Sequence, residues 1–342
     1  GVNSSVNMKI DANSRISLGN NDSGGDTTNT VFGRLAGASI ASGGVNNTVF
    51  GSEAGNDIST GDKNTLMGYL AGDKLSTTSQ NVVIGSAAGR GAGYADNVYI
   101  GYAVANSQSS NSSNNTLIGS GVATSGAMSG GNNTAVGKGS LGSITSGADN
   151  VAVGLDAGVT ITDAGKCVLI GYHAGYDING TGSDYTVAIG YGAGRNITTT
   201  GGGGVVNTIV GGFAGQALTT GYGNVLMGYN AGYSLTTRED CVYIGYAAGA
   251  YLDGAGGNIA IGKNAMKSSG TAANHDAAYN VAVGHHSLTA IEDGDYNIAL
   301  GAYSLDAADG GESNNVAIGT NSMGAINHDD SDHNVAIGDG AL

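Results

Sequence analysis

Asn224-Val225-Leu226-Met227-Gly228-Tyr229-Asn230-Ala231-Gly232-Tyr233-Ser234-Leu235-Thr236-Thr237 is followed, seventeen residues on, by Cys241-Val242-Tyr243-Ile244-Gly245-Tyr246-Ala247-Ala248-Gly249-Ala250-Tyr251-Leu252. The same wording runs along the chain. Aligning the glycine that closes each apolar run gives Gly19, Gly33, Gly51, Gly68, Gly85, Gly101, Gly119, Gly137, Gly154, Gly171, Gly190, Gly211, Gly228, Gly245, Gly262, Gly284, Gly301, Gly319 and Gly338. These nineteen copies lie mostly 16 to 19 residues apart. A fixed short period means a unit too small to bury its own apolar face, which must stack on copies of itself.

Composition narrows the class. Glycine is 64 of 342 residues with no proline, which excludes collagen and polyproline helices. Charged residues are only 11%, unlike a charge-rich disordered segment. No apolar run approaches the ~18 residues of a membrane-spanning helix. The net charge of −15 argues against nucleic-acid binding, which needs a basic footprint. From Ser268 to Leu342 there are eleven acids and no Lys or Arg.

Counting from the glycine as zero, position −3 is Val, Ile or Thr, as in Thr48, Val82 and Val225, and position −1 is large and apolar, as in Phe50, Ile84 and Met227. Side chains two apart share one face of a strand, and β-branching favours strand over helix. Position +7 is a third apolar column, including Ile58, Leu75, Ile161, Leu218 and Leu235, and +3 is mostly Ala or Ser. This reading gives each coil two short facing strands, with −3 and −1 turned into the coil and polar turns between them. The chain is then an all-β, parallel β-solenoid of about nineteen ~17-residue coils. Its predicted organisation is an N-terminal connection over 1–15 and one repeat array over 16–342, acidic and His-containing over 268–342. At ~4.8 Å per coil the array would be a rod of about 90 Å. The last copy stops mid-coil, which predicts further protein or a partner beyond it.

Position −2 should then point away from the coil, yet it is apolar: Val49, Leu66, Val83, Tyr99, Leu117, Leu169, Leu226 and Tyr243, with an unbroken run of Ala from Ala260. A strand apolar on both faces is covered on both. These eight residues are therefore expected to be the contacts between copies of the chain around a symmetry axis. The alanines predict closer strands or a narrower axis toward the C-terminus. Position −4 is mostly Asn, as in Asn47, Asn64, Asn81 and Asn224, and predicts an amide ladder. Cys167 and Cys241 occupy that column four copies apart, about 19 Å, too far for a disulfide within one chain.

The core Asn-Val-Ala-Ile-Gly, as in Asn315–Gly319 and Asn334–Gly338, resembles the head of trimeric autotransporter adhesins (YadA-like). The longer wording Asn-Thr-Val-Phe-Gly-x-x-Ala-Gly with Leu-Thr-Thr-Gly linkers, and the opening Met8–Ile16, resemble repeat regions of bacteriophage tail fibres. The resemblance covers roughly residues 8–342. It implies a left-handed parallel β-roll in each chain and a homotrimeric bundle. Coils longer than those of adhesin heads favour the phage fibre.

Candidate chemistry is sparse. Asn327–Asn334 is a dense polar cluster in which His328, Asp330, Asp332 and His333 are the candidate ligands of a cation, against a solvated acidic turn. His285-His286 is a second, weaker metal candidate. No other cofactor is expected. Tyr69, Tyr102, Tyr172, Tyr191, Tyr229 and Tyr246 recur just after the glycine and suit contact with a glycan or protein, against a purely structural ladder. Acid pairs such as Glu292 and Asp293 lack a fixed separation, so no enzyme is expected. The functional expectation is a structural and adhesive fibre of a virion, extracellular, whose partners are itself as a homotrimer and a host cell-surface glycan or protein, without membrane insertion. The alternatives are a bacterial surface adhesin head and a self-assembling filament.

Overall fold

A computed structural model of the chain describes residues 8–10, 16–18, 28–91, 95–106, 112–125, 128–178, 184–198, 206–253, 256–268, 275–326 and 331–342. β1 (Met8–Ile10) and β2 (Ile16–Leu18) pair antiparallel, Lys9 opposite Ser17. The first sequence copy, Ile16–Leu18, thus departs from the parallel pattern of the rest. The chain divides into two compact units, 1–149 and 150–342. In the first, a parallel ladder runs from β3 (Thr30–Phe32) to β9 (Thr134–Val136), each strand pairing with the next in sequence. In the second, an equivalent ladder runs from β10 (Val151–Val153) to β20 (Val335–Ile337). Register is constant. Thr65, Leu66 and Met67 stand beside Thr48, Val49 and Phe50, and Val225, Leu226 and Met227 beside Val242, Tyr243 and Ile244. The fold is an all-β parallel β-solenoid with a repeat of about 17 residues.

Among the described residues each coil has one strand of three residues rather than the two strands expected from the +7 column. The rest of the coil is turn, but its backbone is still paired with the neighbouring coil. Gly68 N–H donates to Phe50 O at 2.8 Å, Gly55 N–H to Ala71 O at 2.9 Å and Ser234 N–H to Ala250 O at 2.9 Å. Left-handed residues make this possible. Leu70 (φ 55°) and Lys63 (φ 56°) turn their N–H groups to Ser52 O and Val45 O. Each such residue costs about 1–2 kcal/mol outside glycine, offset here by a backbone hydrogen bond that would otherwise be lost in a tight bend.

The closing glycine is required on two counts. At Gly228 the backbone has φ 137°, closed to side chains, and a Cβ would overlap the carbonyl of Gly245 one coil on.

The interior of the coil is the reverse of the expected one. Position −2 points inward: Leu66, Leu117, Leu169, Leu226 and Tyr243 are 0% exposed. Positions −3 and −1 point out, and Phe50 is 50% and Met67 45% exposed. The core is built from −2, the small +3 residues such as Ala71 and Ala231, and the +7 column, Ile58 and Leu235 among them, all buried. Position +4 completes it. Where −2 is large, +4 is small: Leu66 with Gly72, Leu169 with Gly175, Leu226 with Gly232 and Tyr243 with Gly249, and Tyr99 with Ala105 and Leu117 with Ala123. A Cβ on Gly232 would lie 2.9 Å from Leu226 Cδ2. Where −2 is Ala, +4 is mostly large and buried: Ala135 with Leu141, Ala260 with Met266, Ala282 with Leu288, Ala299 with Leu305, Ala317 with Met323. The alanine run therefore marks no narrower axis. In these coils the volume given up at −2 is returned from +4.

Candidate functional site

The eight residues expected between chains, Val49, Leu66, Val83, Tyr99, Leu117, Leu169, Leu226 and Tyr243, all lie inside the coil of a single chain and are at most 3% exposed. They cannot form contacts between copies. Side chains do alternate along the strand, but with the opposite phase: −2 faces the interior, and −3 and −1 face out. The +4 column carried the missing signal, since only residues sharing one enclosed space trade volume in this way.

The columns that do face outward form an apolar strip on each ladder. In the first unit Phe32, Phe50, Met67 and Val136 are exposed, with the Phe32 and Phe50 rings stacked at 5.0 Å. In the second the strip includes Val153, Ile170, Met227, Ile261, Val283 and Ile337. The constant register of each parallel ladder holds these side chains at strand spacing, so the apolar area is contiguous along each unit.

All six candidate tyrosines are exposed. In the second unit they join a run of rings, one per coil. Tyr172 and Tyr191 stack at 4.9 Å, Phe213 meets Tyr191 and Tyr229 edge-on at 4.9 and 5.9 Å, and Tyr229 and Tyr246 stack at 5.6 Å. Most faces within this run are turned to a neighbouring ring, which leaves largely edges and hydroxyls to solvent. Tyr69 and Tyr102 stand on the first unit.

Of the candidate cation ligands, His328 and Asp330 lie outside the described residues. The Asp332 carboxylate accepts the N–H of Ser313 at 2.7 Å, and His333 is a left-handed residue (φ 61°) whose N–H donates to Ser313 O. Among the described residues no three His, Cys, Asp or Glu side chains converge as a metal site. His286 stacks on Tyr303, and its Nε2 lies 3.0 Å from the Asn264 amide nitrogen; burial and neighbouring His285 lower its pKa.

The Asn column is a ladder as expected. Asn64 N–H and Nδ2 both donate to Asn47 Oδ1 at 3.0 Å, and Asn81 repeats this on Asn64. Cys167 and Cys241 are buried thiols whose backbone N–H groups donate to Asn150 and Asn224 Oδ1 at 3.0 Å. Burial pushes the Cys167 thiol up to about 11 and raises Cys241 as well.

Two further features went unread in the sequence. Ser268 Oγ lies 2.9 Å from His275 Nδ1, and His275 Nε2 lies 3.7 Å from Glu292 Oε1. The trio resembles a nucleophile relay in composition only. Ser268 is 3% exposed, closed to a substrate, and Nδ1 also lies 3.3 Å from the carbonyl of Tyr251. The second feature is a groove of about 420 Å³ in the second unit, lined by Thr160, Asp177, Asn196, Thr198 and Thr219.

Comparison with protein-family models and with curated proteins finds no match to this chain.

Proposed function

We propose that the chain is a structural and adhesive fibre segment, extracellular, assembled as a homotrimer and used by a bacteriophage tail fibre to recognise its host. One observation carries the assembly part: the outward −3 and −1 columns place Phe50, Met67, Ile170 and Met227 on the surface of each ladder. A soluble monomer seldom exposes a contiguous apolar patch beyond a few hundred Å², and a repeated apolar ladder is matched by another copy of itself. The three-fold number and the phage context come from the sequence resemblance. The solenoid supports the role physically, because a stack of hydrogen-bonded coils is stiff and repeats its surface at every step, so weak contacts add by avidity.

Sedimentation equilibrium on the purified chain tests this reading. Three chains of 33.4 kDa, a mass near 100 kDa, are expected at micromolar concentration. A single-chain mass across the whole concentration range would refute the assembly and, with it, the fibre.

A further inference from the structure

The groove of the second unit has a chemical bias set by the solenoid itself. Its lining comes from positions +6 and +8 of successive coils: Thr160, Asp177, Asn196, Thr198 and Thr219. Three of these side chains have spent hydrogens on the next coil. Thr160 Oγ1 donates to Tyr176 O at 2.9 Å, Asn196 Nδ2 to Gln216 O at 2.8 Å and Thr219 Oγ1 to Thr236 O at 3.0 Å. Their remaining capacity is mainly oxygen lone pairs: the two hydroxyl oxygens and Asn196 Oδ1. Asp177 adds a carboxylate, which has no ion-pair partner among the described residues. The wall is rich in acceptors and carries one negative charge outside any ion pair of the described residues. A complementary ligand brings several donors and a positive charge.

Size selects among such ligands. About 420 Å³ falls within the ordinary range of small-molecule sites. It would be left mostly empty by the tip of a lysine side chain. Acceptors spread over successive coils, at about 4.8 Å per step, match a ring carrying hydroxyls at several corners. The geometry points to a saccharide unit with a free amine, an amino sugar of a cell-surface glycan, whose ammonium group meets Asp177 and whose hydroxyls donate to Asn196, Thr160 and Thr219. This rests on the attachment reading above and gives it a ligand class. Charge-assisted hydrogen bonds to a carboxylate are the strong ones, so the amine sets the preference.

Saturation-transfer NMR on the full chain at pH 7 tests the site, with glucosamine, glucose, N-acetylglucosamine and Nα-acetyl-lysine amide as probes. Glucosamine is expected to bind at least about tenfold more tightly than the other three. Asp177→Asn should reduce glucosamine affinity about tenfold while leaving the thermal unfolding midpoint unchanged, and Asn196→Ala should weaken glucosamine to a smaller degree. Equal transfer to glucose and glucosamine, or an unaltered Asp177→Asn variant, would overturn the assignment of the charge. Preference for the lysine derivative would assign the groove to a protein partner instead, and no transfer to any probe would remove the site. A chain that sediments as a trimer yet ignores glucosamine loses this inference alone.

Discussion

Gly228 and Gly232 sit four residues apart and are glycine for different reasons. Gly228→Ala meets a forbidden φ and the fixed carbonyl of Gly245 together, and is expected to cost about 3 kcal/mol or more. Gly232→Ala meets a left-handed φ that alanine can adopt and the movable end of Leu226, and should cost about 1–2 kcal/mol. Denaturant unfolding of the two variants checks the ranking. The trade between −2 and +4 has a sharper test. Ala282→Leu alone overfills the coil and Leu288→Gly alone empties it, each by about 2 kcal/mol or more. The double variant recreates the Leu66–Gly72 arrangement and removes the left-handed strain of Leu288 (φ 50°), so a double-mutant cycle should return a favourable coupling of about 1–3 kcal/mol. Additive losses would mean that the two positions do not share a space. Cys167 gives a pH prediction. Its thiol titrates near 9 when unfolded and near 11 when folded. Below pH 9 both states hold the proton and the contribution is complete. Between 9 and 11 the unfolded chain has released it and the folded chain has not, so stability falls as pH rises, by about 2–3 kcal/mol at most. The unfolding midpoint of Cys167→Ala should therefore decline less steeply than that of the natural chain over this range. Much of this was readable beforehand: the spacing of the closing glycine marked every coil from Gly33 onward, and the Asn column announced its ladder. The inside and outside of the strand were not, because Val, Ile and Leu populate both, and hydrophobicity alone does not distinguish a side chain buried by its own coil from one exposed for another.

A strand of three residues is too short to hold itself, and the stability of each coil is drawn from its neighbours. The Asn ladder shows how. Asn64 accepts from the N–H and amide of Asn81, donates to Asn47 Oδ1, and donates to Thr78 O at 2.9 Å in the turn one coil on. Asn64→Ala removes the acceptor of the Asn81 N–H and the donor to Thr78 O, and should cost about 2–4 kcal/mol. Hydrogen exchange offers the finer readout: protection should fall first at the amides of Asn81 and of Thr65, the strand start beside it, and spread outward coil by coil. Uniform loss across the whole unit would argue for all-or-none cooperativity instead. The groove could not be found from the repeat pattern, because it depends on which turn residues happen to face one another across coils, and position +6 varies in type from Ser and Thr to Asp, Lys and Tyr.

The outward apolar columns set how the molecule behaves in company. Ile170→Glu and Met227→Glu, on the exposed side of the second ladder, should leave the unfolding midpoint of the isolated chain within a few degrees, since neither side chain belongs to the core. Both should nevertheless lower the sedimenting mass toward that of one chain, because they place charges in a strip that the assembly would dry. The core substitution Leu226→Ala should do the opposite, lowering the melting point while leaving the contact strip chemically intact.

Because each coil bonds only to the ones before and after it, in an unchanging register, the gene is free to gain or lose whole paragraphs. Deleting 229–245 would join Gly228 to Tyr246 and restore the same sentence, with Gly245 N–H removed together with the Met227 carbonyl bond that the next glycine then inherits. Unequal recombination in seventeen-codon steps would thus lengthen or shorten the chain without inventing a new core, and reach could evolve faster than fold.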